Sequence, residues 1–363
     1  MKITVVCLAS RTGGGLTILQ DLFTFASQVD TENVWQFVIS DQCLGTSTSR
    51  VEIIKTTPSY RGWRSRLRAE LTVGRQAVKR FSPDFVLSLQ NVDTPVRGRH
   101  PLVLYVQQAL PFQTDYQLSF LKREERKLAW RQYLLKWPII ASVKRSDITF
   151  VQTNWLATSI RSLVPKNKVV PIGHAQLVSS EQVPRDSQPA DHFFYPASGA
   201  SYKNHRTLHS ALRRLSERGE DMTNKVSVTL TTKQLIEAIG SSIESELAWY
   251  RPLGWLTPEE VHDEYSKSIL VFPSLVESLG LPLYEARSLG RPVVAGNTAF
   301  GNEALGDYPA VQWFEPEDPD SLADAMFSCV ETAEGRGIAD WSEPEKQSPW
   351  AKMIDELKTV LRD

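Results

Sequence analysis

Short runs of apolar residues alternate along this chain with segments whose apolar residues recur at helical spacing. A short apolar run between turn residues predicts a buried strand, whereas a period of three to four predicts a helix with one apolar face. Because the two patterns alternate, the sequence predicts an α/β fold with mostly parallel sheets. The predicted strands are Lys2–Leu8, Gln36–Ser40, Phe85–Leu89, Leu102–Val106, Ile148–Gln152, Val169–Ile172, His192–Pro196, Val226–Thr231, Leu270–Pro273, Pro292–Ala295 and Val311–Phe314.

A second alternation of strands and helices follows the first, and 363 residues suffice for two domains that each bury a core. The polar segment Ser179–Asp191 contains two prolines and predicts a linker. We therefore expect a first domain over 1–180, a linker over 181–191, a second domain over 192–340 and a terminal segment over 341–363. The predicted helices are Lys203–Arg218, Gln234–Leu247, Pro258–Ser266, Leu281–Leu289, Ser321–Thr332 and Trp350–Leu361.

Candidate chemistry is concentrated between residues 272 and 297, FPSLVESLGLPLYEARSLGRPVVAGN. A strand ends at Phe272, Gly280 allows a tight turn, and Pro282 favours helical φ at the start of the next helix. The first amides of that helix have no carbonyl partner one turn back, so the backbone near Gly280 and Leu281 suits a phosphate group.

Two glutamates bracket this turn. Glu285 lies about one turn into the helix, where it could accept hydrogen bonds from ribose hydroxyls, and Glu277 lies just outside, where a sugar beyond the phosphates would be. A plainer interpretation is that Glu285 only complements the helix dipole and Glu277 is solvated.

The order of these glutamates, glycines and prolines resembles the E-x7-E signature of retaining glycosyltransferases of family GT4. That resemblance implies a GT-B fold, in which two Rossmann-like doubly wound domains face each other across a cleft. In such proteins the C-terminal helix, expected here within 341–363, often crosses back toward the first domain. The resemblance also implies an enzyme that uses a nucleotide diphosphate sugar, with Glu277 on the donor sugar and Glu285 on the ribose. The donor would be a UDP- or GDP-sugar, and neither a metal nor another cofactor is expected.

The resemblance extends over residues 193–212, FFYPASGASYKNHRTLHSAL, where it implies that Lys203 contacts the donor diphosphate. Position 197 is alanine, where the family often has arginine, so more of the phosphate charge would fall on Lys203. A solvated lysine at a helix start is the alternative. Trp255, in a loop similar to the family's base-binding loop, either flanks the nucleotide base or packs in the core.

The first domain has fewer signatures. Thr12-Gly13-Gly14-Gly15 follows the first strand, and its glycines would let the backbone approach a ligand; the family's glycine loop faces the donor phosphates and the acceptor. A plain turn is the alternative. After the strand Leu102–Val106 many family members carry a histidine, and here Gln107 or Gln108 takes its place. Gln107 could hydrogen-bond a sugar hydroxyl but cannot act as a base near neutral pH. We expect His174, near the linker, to be structural.

Charge divides the chain in two: residues 1–185 hold 25 Lys+Arg and 13 Asp+Glu, and the rest hold 16 and 29. In the first half, segments 61–80 and 121–137 combine basic residues with tryptophan and leucine. Such helices suit the headgroup layer of an anionic membrane, or they are surface helices whose aromatic residues face the core. Nucleic acid is a weaker interpretation, since no RNA- or DNA-binding motif accompanies the charge, and we expect none as a partner.

Several other features limit the class of protein. No apolar run reaches the roughly 18 residues of a membrane span, and MKITVVCLAS predicts a strand rather than a signal peptide. The three cysteines, Cys7, Cys43 and Cys329, are far apart and indicate reduced thiols in the cytoplasm. Asp318-Pro319-Asp320 resembles a metal-binding D-x-D, but Asp320 before an apolar helix is better explained as its N-cap.

The resemblance implies a retaining glycosyltransferase, and we expect it to move a hexose or deoxyhexose, with a mannose-type sugar favoured, to a glycan or lipid-linked acceptor. By analogy, the pathway would be surface polysaccharide assembly, such as O-antigen, capsule or lipopolysaccharide, at the inner face of the cell membrane. Two alternatives remain: another GT-B enzyme, such as a nucleotide-sugar epimerase or a phosphorylase, and a non-catalytic partner of an active glycosyltransferase.

Overall fold

The computed structural model describes residues 1–8, 14–40, 44–56, 67–123, 125–173, 190, 192–333 and 347–360. It divides into two compact units. The first comprises Met1–Leu118, Lys127–Ala175 and Gln347–Asp363, and the second comprises Ser119–Arg126 and Gln176–Lys346. Apart from Ala190, the predicted linker 181–191 lies outside the described residues.

The first unit is built on a seven-stranded sheet whose strand pairs are all parallel. Its central strands are buried along nearly their whole length, as expected for a parallel sheet with helices on both faces. The strands are β1 (Lys2–Cys7), β2 (Val34–Ile39), β3 (Val51–Lys55), β4 (Phe85–Ser88), β5 (Leu102–Val106), β6 (Ile148–Val151) and β7 (Val169–Pro171), in the order β3-β2-β1-β4-β5-β6-β7.

Helices of the first unit follow the strands along the chain. They are α1 (Gly14–Thr24), which continues as a π-helical turn Phe25–Val29, the π-helical turn Glu70–Gly74, α2 (Arg75–Phe81), the 3₁₀ turns Pro95–Arg97 and Leu110–Phe112, α3 (Arg126–Leu134), α4 (Lys136–Arg145) and α5 (Asn154–Leu163). The first residue of α3, Arg126, is the last of the short segment grouped with the second unit.

The second unit repeats the design with a six-stranded parallel sheet in the order β10-β9-β8-β11-β12-β13. Its strands are β8 (His192–Tyr195), β9 (Val226–Val228), β10 (Tyr250–Pro252), β11 (Ser268–Phe272), β12 (Val293–Gly296) and β13 (Val311–Phe314). Its helices are α6 (His205–Glu217), α7 (Thr232–Ile239), α8 (Pro258–Ser266), α9 (Leu281–Ser288), α10 (Ala299–Leu305) and α11 (Pro319–Ala333), with 3₁₀ turns at Ser201–Lys203 and Ser241–Trp249.

The predicted helix 234–247 is wrong in its extent. The chain leaves α7 at Gly240, whose φ of 132° is strained for a residue with a side chain, and a 3₁₀ stretch follows. A second correction concerns the N-cap of α11. The Asp318 side chain accepts from the backbone N–H groups of Asp320 and Ser321 at 2.9 and 3.1 Å, so Asp318 caps the helix and Asp320 lies inside it.

The last described helix, α12 (Pro349–Val360), packs with the core of the first unit. The indole N–H of Trp350 donates to Asp21 at 2.6 Å, and its ring lies against Tyr105. The Lys352 ammonium donates to the Pro171 carbonyl at 2.8 Å. Burial raises the pKa of Asp21, and the hydrogen bond from Trp350 partly offsets the rise.

Both sheets contain a point where the direction of strand succession reverses, between β1 and β4 in the first and between β8 and β11 in the second. Connections leave the carboxyl ends of these paired strands in opposite directions, which opens a crevice there. Ligands of doubly wound folds bind at such points. The loops after β8 and β11 are therefore the place to look for a site in the second unit.

Candidate active site

The loops that follow β8 and β11 bring a lysine and a glutamate together. Lys203 ends a 3₁₀ turn eight residues beyond Tyr195, and its ammonium contacts the carboxylate of Glu277. The Ser274 hydroxyl donates to the same carboxylate oxygen of Glu277 at 2.8 Å. Both charged side chains are mostly buried, so neither is the solvated surface residue of the plainer interpretations.

The backbone holds this pair in position. The Tyr195 hydroxyl donates to the Lys203 carbonyl at 2.7 Å, and the Leu275 N–H donates to the Tyr202 carbonyl at 2.8 Å. Asn204 follows in the left-handed region, with φ of 61°, and starts α6. The loops after the two adjacent strands are thus hydrogen-bonded to each other, which places the backbone of Lys203 beside the segment that carries Glu277.

His205 stabilises the same turn. Its Nε2 lies 2.9 Å from the Ser198 carbonyl, to which it donates. Burial lowers the pKa of His205 to about 4, so the imidazole is neutral at physiological pH. Since a neutral, buried imidazole that donates to a backbone carbonyl is a structural element, His205 adds no positive charge beside Lys203.

Gly280 forms the turn that opens α9. Its φ of 74° belongs to the left-handed region, and a Cβ there would lie 3.2 Å from Cδ1 of Leu283. A side chain would therefore be strained in both backbone and packing. Pro282 occupies the first turn, and the Leu283 N–H bonds back to the Gly280 carbonyl at 2.9 Å. Leu281 is the first residue of α9 after this turn, three residues beyond the segment that ends at Ser278, and its role in binding a phosphate stays a prediction.

Glu285 lies on α9 and faces α8. The Tyr265 hydroxyl donates to its Oε2 at 2.8 Å. Burial raises the pKa of Glu285, while the Tyr265 hydrogen bond and the nearby His262 act in the opposite direction. A buried carboxylate with one strong donor still has capacity to accept further hydrogen bonds, which is what a pair of ribose hydroxyls requires.

Sequence reasoning missed the two neighbours of Glu285. Tyr265 is fully buried, and Nε2 of His262 is inaccessible to solvent with no hydrogen-bond partner. Both lie on α8, three residues apart, and so share one face of that helix. The spacing from His262 to Tyr265 was visible in the sequence, but nothing there indicated that this face packs against α9.

Trp255 lies in the loop between β10 and α8 and is 82% exposed. The alternative that it packs in the core is therefore wrong. Trp255 follows Gly254, whose φ is 71°. An exposed indole can stack on a planar ring, which is what a residue that flanks a nucleotide base requires.

The remaining predicted site residues belong to the first unit. Gly14 and Gly15 open α1, and a Cβ at Gly14 would meet nothing within 4 Å, so packing does not require a glycine there. Gln107 and Gln108 follow β5, and both of their backbone N–H groups donate to the side chain of Asn91, at 2.7 and 3.1 Å. Asn91, with φ of 64°, is a positioning residue that the sequence analysis missed.

Some predictions fall outside the described residues: Gly13 and Thr12 of the glycine loop, His174, Cys43, and Arg61 to Arg66 of the first basic segment. Within the described residues no cluster of His, Cys, Asp and Glu could hold a metal ion, and metal independence stays a prediction. No described helix is long and apolar enough to cross a bilayer.

Residues 192–332 match the family model described as glycosyl transferases group 1. The O-antigen chain mannosyltransferase B of Escherichia coli is 33% identical over 109 residues, which is 28% of this chain and 27% of that relative. The chain therefore matches only about a quarter of the length of this curated relative, and the match lies in a part of each protein.

Solved structures resemble the chain over nearly its whole length. HepE from Anabaena, in complex with UDP and glucose, aligns with a TM-score of 0.64 at 14% identity over 99% of both chains. The UDP-GlcNAc 2-epimerase from Methanocaldococcus jannaschii aligns with a TM-score of 0.55 at 11% identity, also over 99% of both. The fold is thus GT-B, with two parallel α/β domains. Residues 192–332 are thus similar to the group 1 glycosyltransferases.

Proposed function

We propose that this protein is a retaining glycosyltransferase of family GT4 that transfers a hexose or deoxyhexose, with a mannose-type sugar favoured, from a UDP- or GDP-sugar. The acceptor is a glycan or lipid-linked oligosaccharide of surface polysaccharide assembly, so the enzyme works at the inner face of the cell membrane. The E-x7-E pattern and the O-antigen chain mannosyltransferase relative support this reaction and this acceptor class.

The observation that carries the proposal is the pairing of Lys203 with Glu277 at the switch point between β8 and β11, beside the turn at Gly280. A diphosphate placed there meets an ammonium and the amino-terminal end of a helix, both of which favour negative charge. The sugar beyond the phosphates then meets the Glu277 carboxylate, and the nucleoside meets Glu285 on the other side.

In this reaction the bond between the sugar's anomeric carbon and the diphosphate oxygen breaks, and a bond from that carbon to the acceptor oxygen forms. Lys203 and the amides around Gly280 and Leu281 stabilise the charge that develops on the leaving diphosphate. A diphosphate oxygen accepts the acceptor's proton on the same face of the sugar, which retains the anomeric configuration. Gly14, Gly15 and Gln107 of the first unit are proposed contacts of the donor phosphates and sugar.

The direct test is a donor and acceptor screen with the purified full chain. UDP-glucose, UDP-galactose, GDP-mannose and GDP-fucose would first be ranked by thermal shift, because a ligand raises the melting temperature according to its affinity. The best donor, incubated with lipid-linked oligosaccharide, should yield free nucleoside diphosphate and a lengthened glycan. Proton NMR should find the same anomeric configuration in donor and product, whereas an inverted product would refute retention.

Glu285→Ala should mainly weaken nucleotide binding. The substitution removes the acceptor proposed for the ribose hydroxyls and leaves the Tyr265 hydroxyl without its partner. We expect the Kd for the matching nucleoside diphosphate to rise about tenfold to a hundredfold, since hydrogen bonds to a charged group contribute about 1.5–3 kcal/mol. Isothermal titration calorimetry measures this, with Glu237→Ala, an exposed glutamate on α7, as the matched control. Unchanged affinity in Glu285→Ala would remove the ribose role.

Binding of the nucleotide sugar should weaken on acidification. The ionised form of Glu285 accepts the hydroxyls, and burial raises its pKa above the ordinary value of 4.5. Affinity is then complete at neutral pH and falls as the pH drops through the raised pKa, earlier than an exposed glutamate would allow. Titration with an intact nucleotide sugar is preferable because its diphosphate lacks the last ionisation of a free nucleoside diphosphate.

Three variants show which side chain causes the loss of affinity at acid pH. Tyr265→Phe should move the loss of affinity to higher pH, because the Tyr265 hydrogen bond lowers the pKa of Glu285. Glu285→Gln should bind weakly at every pH and show no transition. A midpoint that disappears in His262→Gln but persists in Glu285→Gln would assign the transition to His262.

An epimerase is the second candidate, because the epimerase from Methanocaldococcus jannaschii aligns with 99% of this chain. An epimerase would convert one nucleotide sugar to another without added acceptor, whereas a transferase releases nucleoside diphosphate only as acceptor is consumed. A non-catalytic partner subunit, suggested by Ala197 and by Gln107 at the family's histidine position, would leave donor turnover at background with every acceptor.

A further inference from the structure

Helix α3 exposes large apolar side chains and buries a polar one, the reverse of an ordinary surface helix. Its buried residues are Ala129 and Gln132, whereas Trp130 and Leu134 on its outer side are 54% and 49% exposed. The inner polar residue is satisfied locally: Gln132 accepts from the Leu118 N–H at 2.9 Å and donates to the Tyr116 carbonyl at 2.7 Å. The interpretation that the aromatic residues of segment 121–137 face the core is therefore wrong for Trp130.

The exposed apolar face continues into the start of α4. Trp137 is 69% exposed, and Leu135 and Tyr133 beside it in the chain are also exposed. The rest of α4 is ordinary, since Ile139 and Val143 are buried in the core. Within α3 and α4 the exposed large apolar residues therefore lie together between Trp130 and Trp137. Clustered exposed apolar residues are typical of a binding surface.

Basic residues are interleaved with these apolar side chains. From 126 to 145 the sequence contains six Lys and Arg and no Asp or Glu. Lys127 and Arg131 are exposed on α3, and Lys136 is partly exposed at the start of α4. The acidic residue nearest to them in the described chain, Glu125, is buried and paired with Lys122. We call Lys127, Trp130, Arg131, Leu134 and Trp137 the aromatic-basic surface.

We propose that the aromatic-basic surface docks the enzyme on an anionic lipid bilayer, with the tryptophans at the headgroup layer and the basic side chains on lipid phosphates. Tryptophan is favoured at the membrane interface because its ring is apolar and its N–H can still bond to headgroups. Clustered Lys and Arg attract anionic lipids. Only the link between this docking and a lipid-linked acceptor rests on the proposed function. The docking itself requires no reaction.

A second copy of the chain fits this surface less well. In a symmetric dimer each patch faces its own equivalent, so the basic residues would face like charges, and no acidic residue of the segment would balance them. An anionic bilayer supplies both the opposite charge and an apolar layer for the tryptophans. The closing experiment therefore treats self-association and nucleic acid as outcomes that would contradict the proposal.

The test is flotation of the full chain with vesicles of phosphatidylcholine alone or mixed with phosphatidylglycerol. The wild type should float only with the anionic vesicles, and less at high salt. Trp130→Ser with Trp137→Ser should weaken binding about tenfold or more. Lys127→Gln with Arg131→Gln should weaken it about fivefold per charge and flatten the salt dependence. Leu163→Ser with Lys166→Gln, an exposed pair elsewhere in the first unit, is the matched control and should bind like the wild type.

Light scattering and a gel shift with RNA complete the test. A dimer lost in the tryptophan variant, an RNA complex lost in the charge variant, or flotation that none of the variants alters would each overturn the proposal. Failure here is separable from failure of the proposed function. Nucleotide-sugar binding by thermal shift needs no membrane and should be the same in all three double variants, and flotation should persist even if no donor binds.

Discussion

Lys203→Ala should lower kcat/KM for sugar transfer by about 100- to 1,000-fold, the range found when one preorganised electrostatic group is removed from an active site. Lys203 is the basic side chain that the structure holds against Glu277 beside the amino-terminal end of α9. Because position 197 is alanine, the family's usual second cation is missing from this chain. Steady-state kinetics with the donor identified by the screen measures the effect.

The control for Lys203→Ala is Lys233→Ala, an exposed lysine on α7 of the same unit, which should leave kcat/KM unchanged. Removal of Lys203 also leaves Glu277 mostly buried with Ser274 as its remaining donor, so a change in stability must be measured in parallel by thermal melting. A folded Lys203→Ala variant with wild-type kcat/KM would disprove the diphosphate role.

Glu277→Ala should reduce kcat about a hundredfold while nucleotide affinity holds or rises. The Glu277 carboxylate contacts the Lys203 ammonium, so a phosphate that binds this ammonium competes with Glu277. Its removal frees the ammonium for the diphosphate and at the same time removes the proposed acceptor for the sugar hydroxyls. Kinetics with the full donor, together with calorimetry of the nucleoside diphosphate, separates the two effects.

This pattern distinguishes two roles for Glu277. If Glu277 only anchors Lys203, Glu277→Ala and Lys203→Ala should show the same loss of nucleotide affinity. If Glu277 holds the sugar, only the turnover of the complete donor falls. Ser274→Ala, which removes the hydroxyl that donates to Glu277, should show a smaller change in kcat of the same kind.

Most strands were predictable because their signal is local. β5 and β11 are apolar at nearly every position and buried on both faces, so their boundaries follow from the sequence within one or two residues. The two strands that the sequence analysis missed, β3 and β10, each form one edge of their sheet, whereas the strands at the opposite edges, β7 and β13, were predicted. β3 is partly exposed over most of its length, and β10 has three residues and ends in proline. A strand at the edge of a sheet pairs on one side only and is often short, with polar residues or proline, which weakens the apolar run.

The part of the candidate site that lies around one turn was predictable from the sequence. Gly280, Pro282 and the two glutamates lie within ten residues of each other, so their order carried the prediction. The contacts from other elements did not follow. Lys203 is 74 residues from Glu277, and Tyr265 reaches Glu285 from another helix. Which side chains meet across two elements depends on how those elements pack.

The sequence by itself determined the alternation of strands and helices, the turn that opens α9 and the excess of basic residues in the first half, because each is a property of neighbours along the chain. Only the tertiary structure decided that Lys203 pairs with Glu277, that Trp255 is exposed and that α3 turns its tryptophan outward. The physical reason is most direct for α3. Periodicity places Trp130 and Gln132 on different faces, but the backbone of Tyr116 and Leu118 satisfies Gln132 inside and leaves Trp130 to the solvent.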